Sequence, residues 1–185
     1  MKALSQAFCF LVSFALVLSC SGDKTVRGEL EIAFELMKLG ADIQPSYQTV
    51  IWLEDQGGDS VYTLLVTEYL SYGGYNDSTI CSSWSEKVDW DEVTDELFDA
   101  VTRATPRTGE NRLSFTLDLH GMAPGIYRYQ VQTHVIEGDN VLYSGEIELG
   151  SDESESTAQL VRVPVSYEVT PSVLNNVAAF YHPDK

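Results

Sequence analysis

Basic side chains are scarce in this sequence: 11 Lys and Arg stand against 28 Asp and Glu, for a formal net charge of −17. A phosphate backbone or an anionic membrane is held by clustered Lys and Arg, so this balance excludes nucleic acid as a partner and excludes a basic membrane-binding face. Histidine is scarcer still. His120, His134 and His182 lie far apart, and no H-x-x-H or H-E-x-x-H pair is present. Neither a G-x-S-x-G elbow nor a phosphate-binding glycine loop occurs. The expectation is a protein that is not an enzyme, with no catalytic residues and no metal site, with His120 in a turn and His134 on an exposed strand face. Long apolar runs are absent after the first stretch, Ala7 to Leu18, which is too short to cross a bilayer and suits the core of a signal peptide.

That run ends in Val17-Leu18-Ser19-Cys20, which resembles the lipobox of bacterial lipoproteins. The resemblance implies a signal peptide over 1–19, cleavage before Cys20, and lipid on its thiol. A polar tether over 20–28 and one domain over 29–185 follow. Lys2 is the single charge among the first 19 residues, so the remainder is one unit more acidic than the whole. The acidity reads as a solubility feature of an exported protein. Of three cysteines, Cys9 leaves with the signal and Cys20 is acylated, which leaves Cys81 with no partner for a disulfide. Cys81 is expected to be a structural, partly buried thiol.

The most regular alternation lies between Asn111 and Gly150. Leu113, Phe115, Leu117 and Leu119 alternate with polar residues, and so do Tyr127, Tyr129, Val131, Thr133 and Val135. Glu137 to Asn140 reads as a turn, and Val141, Tyr143, Ile147 and Leu149 as a returning strand. Together these predict an antiparallel meander with Arg128, Gln130, Gln132 and His134 on a wet face. Earlier, Leu30 to Met37 alternates as a first strand. Thr49 to Glu54 is almost continuously apolar, as a strand covered on both sides should be, and it forms a hairpin with Val61 to Tyr69.

The pattern changes in an insertion over about 71–110. Val88, Val93, Leu97 and Val101 predict one short amphipathic helix within Ser85 to Thr102, with Asp89, Asp91, Glu92, Asp95 and Glu96 on the other side. Trp52 is expected in the core, and Trp84 and Trp90 are expected to pin the helix to the sandwich. Ser151 to Ser156 reads as an acidic link, since a calcium loop needs a tighter alternation of oxygen ligands. Val161 to Tyr167 reads as a strand whose Pro164 suggests a sheet edge, and Val173 to Tyr181 as a last short strand or a tail. The fold class is all-β: an immunoglobulin-like antiparallel β-sandwich with one short helix in a long insertion.

Three stretches carry a family resemblance: Thr49-Val50-Ile51-Trp52-Leu53-Glu54-Asp55, Asp99 to Gly109, and Pro124-Gly125-Ile126-Tyr127. They resemble the predicted periplasmic proteins of domain-of-unknown-function family 2271, which implies a location in the bacterial cell envelope. With the lipid, the expected place is the outer membrane, facing the periplasm. Asp99 to Thr105 also resembles the motif of bacterial flavin-carrying proteins. That resemblance implies covalent flavin mononucleotide (FMN) on Thr105, with Asp99 and Thr102 in the recognition motif. Arg103 departs from it, standing where the motif has glycine. The leading expectation is a lipid-anchored, non-catalytic binding or assembly module without a cofactor. It would act on an unknown envelope protein through the Tyr69 to Thr105 insertion, with an FMN-bearing electron carrier as the alternative.

Overall fold

The computed structural model describes residues 25–40, 44–136, 140–162 and 173–185. The signal peptide, the lipobox with Cys20, and the Val163 to Tyr167 part of the late strand lie outside the described residues. Among the described residues ten strands run in chain order: β1 Gly28–Leu36, β2 Thr49–Glu54, β3 Val61–Thr67, β4 Thr102–Arg103, β5 Gly109–Thr116, β6 Gly125–His134, β7 Asn140–Leu149, β8 Ser154–Thr157, β9 Gln159–Arg162 and β10 Leu174–Pro183. They form two sheets, a four-stranded one in the order β5-β1-β10-β8 and a six-stranded one in the order β4-β3-β2-β6-β7-β9. All described pairings are antiparallel except the two-residue β3–β4 contact.

Alternation explains how the sheets face each other. Along β1, Leu30, Ile32, Phe34 and Leu36 turn inward, while Glu29, Glu31 and Glu35 face out. The inward residues pack in one cluster with Ile51, Leu53, Tyr127, Tyr129, Val131, Ile147, Leu149, Val177 and Tyr181, which come from both sheets. This is the sandwich core. Of three register shifts between described strands, two adjust it. β2–β3 register shifts between Ile51 and Trp52, so that Leu64 and Leu65 are both buried in the core. The second lies where β1–β10 register shifts, with Asn176 at φ 53°, a conformation asparagine tolerates better than most residues.

Of the expected meander only the second half forms, the antiparallel pair β6–β7. β5 pairs along its whole length with β1, from Glu29↔Thr116 to Leu36↔Gly109, and so belongs to the opposite sheet from β6. The apolar alternation ends in a 3-10 turn, Leu117–His120, followed by Gly121 at φ 60°. Leu117 and Met122, both fully buried, plug the end of the core where the chain crosses. β5 lies beside β1, and β3, β2, β6 and β7 are neighbours in the other sheet, so the expected all-β arrangement of two sheets is present. β10 lies between β1 and β8 as a full ten-residue strand, neither short nor a tail. β9 lies at the end of the six-stranded order, while Pro164, which suggested an edge, lies outside the described residues.

The insertion differs too. The helix α1 Glu68–Ser71 follows β3 directly, then come α2 Ser82–Ser85, a 3-10 turn Trp90–Glu92 and α3 Asp95–Val101. The single helix expected within Ser85 to Thr102 is confined to α3. Thr94 accepts a hydrogen bond from the Leu97 amide and so starts the helix there, with Asp95 and Glu96 in its first turn. Val93 is extended, so Val88 and Val93 reach the apolar layer from a loop.

Tyr129 pairs with Gly145 across β6 and β7, and its ring covers the glycine: a Cβ there would meet Tyr129 Cζ and Oη at 2.5 Å. Tyr129 is fully buried, and its hydroxyl donates to Ser156 O at 3.1 Å, so the ring has no free direction in which to retreat. Gly145→Ala should therefore cost about 1–3 kcal/mol in chemical denaturation. Ser114→Ala, on the exposed side of β5, should stay within about 0.5 kcal/mol of wild type. Equal midpoints would show that the β6–β7 register is wrong.

Candidate functional site

The outward face of the six-stranded sheet is covered by the insertion. Val50, Trp52 and Val66 pack there with Leu70, Ile80, Cys81, Trp84, Trp90, Val101 and Leu142 in a second apolar cluster. Trp84 donates its indole N–H to Thr63 Oγ1 at 3.0 Å, and Trp90 donates to Ser71 O at 3.1 Å. The two rings meet edge to face, 5.2 Å apart. Trp84 thus pins the cap to the sheet, as expected, whereas Trp90 bonds and stacks within the cap and joins the same apolar cluster, and Trp52 sits in the interior. The expected wet face of β6 is consequently dry: Gln130, Gln132 and His134 are all buried. His134 is not an exposed strand residue, and Ser46 Oγ lies 2.5 Å from its Nδ1.

Within this layer lies a buried carboxylate. Glu54 is 1% exposed, and three donors converge on its Oε1: Trp52 Nε1 at 2.7 Å, Gln130 Nε2 at 2.6 Å and Lys87 Nζ at 2.6 Å. Arg128 Nη1 stands 3.9 Å from the other oxygen. A buried charge without partners is very costly, so this network is what allows an acid at the end of the covered strand. Lys87 comes from the insertion, and it thereby ties the cap to β2 electrostatically. The sequence carried a sign of this: one acid ends an otherwise uncharged run, where burial demands a partner.

The cap is also tied at Asn140. Its Oδ1 accepts from the Cys81 amide at 2.7 Å, and its Nδ2 donates to Thr79 O at 2.9 Å. Cys81 takes up a left-handed conformation, φ 49°, just before α2, and its thiol is fully buried. Burial pushes that thiol far above the ordinary cysteine range, so it stays protonated.

A cavity of about 590 Å³ opens between the outward residues of β3, the Lys87 to Val93 loop and α3. Its walls include Val61, Val88, Val93, Leu97 and Trp90, and Asp59, Asp89 and Glu96 add carboxylates. His120, in the expected turn, closes one side; its ring lies edge-on to Tyr62 at 6.1 Å, and burial lowers its affinity for a proton.

The residues of the flavin motif do not share a pocket with these groups. Asp99 is exposed on α3, Thr102 opens β4, and Thr105 is exposed on the connector beyond, where its Oγ1 receives a 3.5 Å contact from Gln48 Nε2. Among the described residues, no group of three or more His, Cys, Asp or Glu is placed to hold a metal ion. Of the expected acidic link only Ser151 to Glu153 connects strands, since Ser154 to Ser156 belong to β8, and His182 lies 3.6 Å from Glu153 at the surface.

Glu54→Ala strands two buried donors, Trp52 Nε1 and Gln130 Nε2, while half-exposed Lys87 turns to water. The variant should lose about 3 kcal/mol in urea denaturation, and Glu54→Gln, which still accepts, less than half as much. A loss below about 0.5 kcal/mol for Glu54→Ala would rule out the network as a fastener. The peptide containing Cys81 should take up iodoacetamide only in denaturant, read by mass spectrometry. Rapid labelling of the folded protein at neutral pH would contradict its burial.

Residues 29–162 match the family described as a predicted periplasmic protein, DUF2271. No curated protein and no solved structure matches the chain. The match covers the cap and all the described strands except β10, well over half of the chain, and so the chain belongs to this family of predicted periplasmic proteins.

Proposed function

We propose that this envelope protein is a non-catalytic binding or assembly module whose working part is the cap built from Tyr69 to Thr105. In this reading lipid on Cys20 holds it at the outer membrane, facing the periplasm. The observation that carries the reading is the cap itself. A long insertion is held to the sheet by Trp84 and an ion pair, yet it leaves Tyr69 and Tyr72 57% and 72% exposed and walls a cavity. Solvent-facing aromatics on a rigid support are the residues that protein interfaces use as anchors, and long ordered insertions are where binding surfaces are built. The partner is an envelope protein that tolerates or prefers an acidic surface.

A second reading, an electron carrier with covalent FMN, rests on the exposure of the Thr105 hydroxyl beyond α3, where a transferase can reach it. Intact mass decides it: an FMN adduct on protein coexpressed with a flavin transferase, lost in Thr105→Ala, would replace the first reading.

The first reading is tested in the native envelope with a photo-crosslinking residue at Tyr72 or, on the outer face of the other sheet, at Glu35. A discrete adduct is expected from Tyr72 and none from Glu35; adducts from both, or from neither, would sink the module. Cys20→Ser should move the protein from the membrane to the soluble fraction, and unchanged fractionation would remove the anchor from the proposal.

A further inference from the structure

We infer that the cavity beneath the cap binds a small organic cation, a protonated amine on an apolar body. This rests on the reading of the cap as the binding part and names what its cavity takes. At about 590 Å³ the space falls in the size range of small-molecule sites. Its walls supply aliphatic surface from Val61, Val88, Val93 and Leu97, with aromatic surface from Tyr62 and Trp90.

The charges then choose the sign of the ligand. Among the described residues lining the cavity, Lys87 and His120 are the basic ones. Lys87 is already committed, its ammonium 2.6 Å from the buried Glu54 carboxylate, and drawing it toward an anion would leave that acid without its cation. His120 is half-buried and held toward its neutral form. Asp59, Asp89 and Glu96 remain, all exposed at the rim, and each is free of any ion pair with Lys87, whose nitrogen faces Glu54. An anion entering the cavity meets three carboxylates and no uncommitted cation. An amine meets attraction at the rim and apolar walls behind it. Because the three carboxylates are wet, the charge contribution is modest and salt-sensitive, and selectivity rather than tight affinity is its signature.

The test uses three probes that share one skeleton: phenethylamine, phenethyl alcohol and phenylacetate. Each is titrated calorimetrically into the full chain, purified in neutral detergent. Phenethylamine should bind one to one and about tenfold more tightly than the alcohol, with phenylacetate weakest. Raising NaCl from about 10 mM to about 1 M should erase most of that preference. The triple variant Asp59→Asn, Asp89→Asn, Glu96→Gln should bind the amine no better than the alcohol, while its affinity for the alcohol stays within about twofold of wild type and its Tm falls by no more than about 5 °C, the scale of one lost first-turn acid in α3. Equal binding of amine and alcohol, preference for phenylacetate, amine binding at many sites without saturation, or no heat from any probe at about 10 mM would each overturn the inference. The Tyr72 crosslink is read separately. An adduct there with an empty cavity keeps the module and drops the cation, and amine binding without an adduct does the reverse.

Discussion

The outward side of β2 carries Val50 and Trp52, and a sheet face with such residues has to be covered. Everything distinctive about this molecule follows from how that is done. The four-stranded sheet keeps a wet outer face of Glu29, Glu31 and Glu35, with Arg112 paired to Glu31. The six-stranded sheet cannot, and the chain interrupts itself between β3 and β5 to lay down a layer of short helices and turns over it. The result is three layers: cap, six strands, four strands. Fully burying an aromatic or aliphatic side chain is worth roughly 2–3 kcal/mol, so Trp52, Trp84, Trp90, Val50 and Val66 together outweigh the ordering of a cap with little regular helix of its own.

Polar groups then decide how the cap sits. Apolar contact is indifferent to small slides, whereas Glu54 with three donors, and Asn140 with two partners in the Thr79 to Cys81 stretch, accept one arrangement. Hydrogen bonds inside a dry layer are costly to leave unmade, so they position even where their net contribution is small. The cap has few hydrogen-bonded helical turns to hold it straight, and these fasteners do that work. The cavity walls inherit the same precision, because Lys87, Val88 and Trp90 stand on the fastened loop.

How much of this was legible in the sequence depended on whether the cause was local. The period-two pattern of Leu30 to Leu36 and the unbroken apolar run Val50 to Leu53 are local, and they placed β1 and the doubly covered β2 correctly. The pairing of β5 is not local: nothing within Gly109 to Thr116 says that its neighbour is β1 and not β6, and the same alternation serves either sheet. Gln130, Gln132 and His134 looked wet because they are polar, yet they line a buried face whose cover comes from the insertion. Likewise Val88 and Val93 imitated a helical stripe, while Thr94 fixed the true start of α3. The family resemblance was legible in its motif stretches, but the Glu54 network at the centre of the site was not, since its partners Lys87 and Gln130 are close only after folding.

The seat of β10 has a consequence in time. Gly28 faces Pro183 and Leu30 faces Tyr181, so the first strand of the sandwich finishes its sheet with the last one described. A chain that emerges from a membrane pore in order can close the β2–β3 and β6–β7 hairpins early, but β1 must wait with its second edge open until Leu174 to Pro183 has followed. During that interval its alternating apolar side is exposed, beside the acids Glu29, Glu31 and Glu35, which discourage it from adding to a neighbour's strand. The same glutamates that dress the finished surface are the guard of the unfinished one.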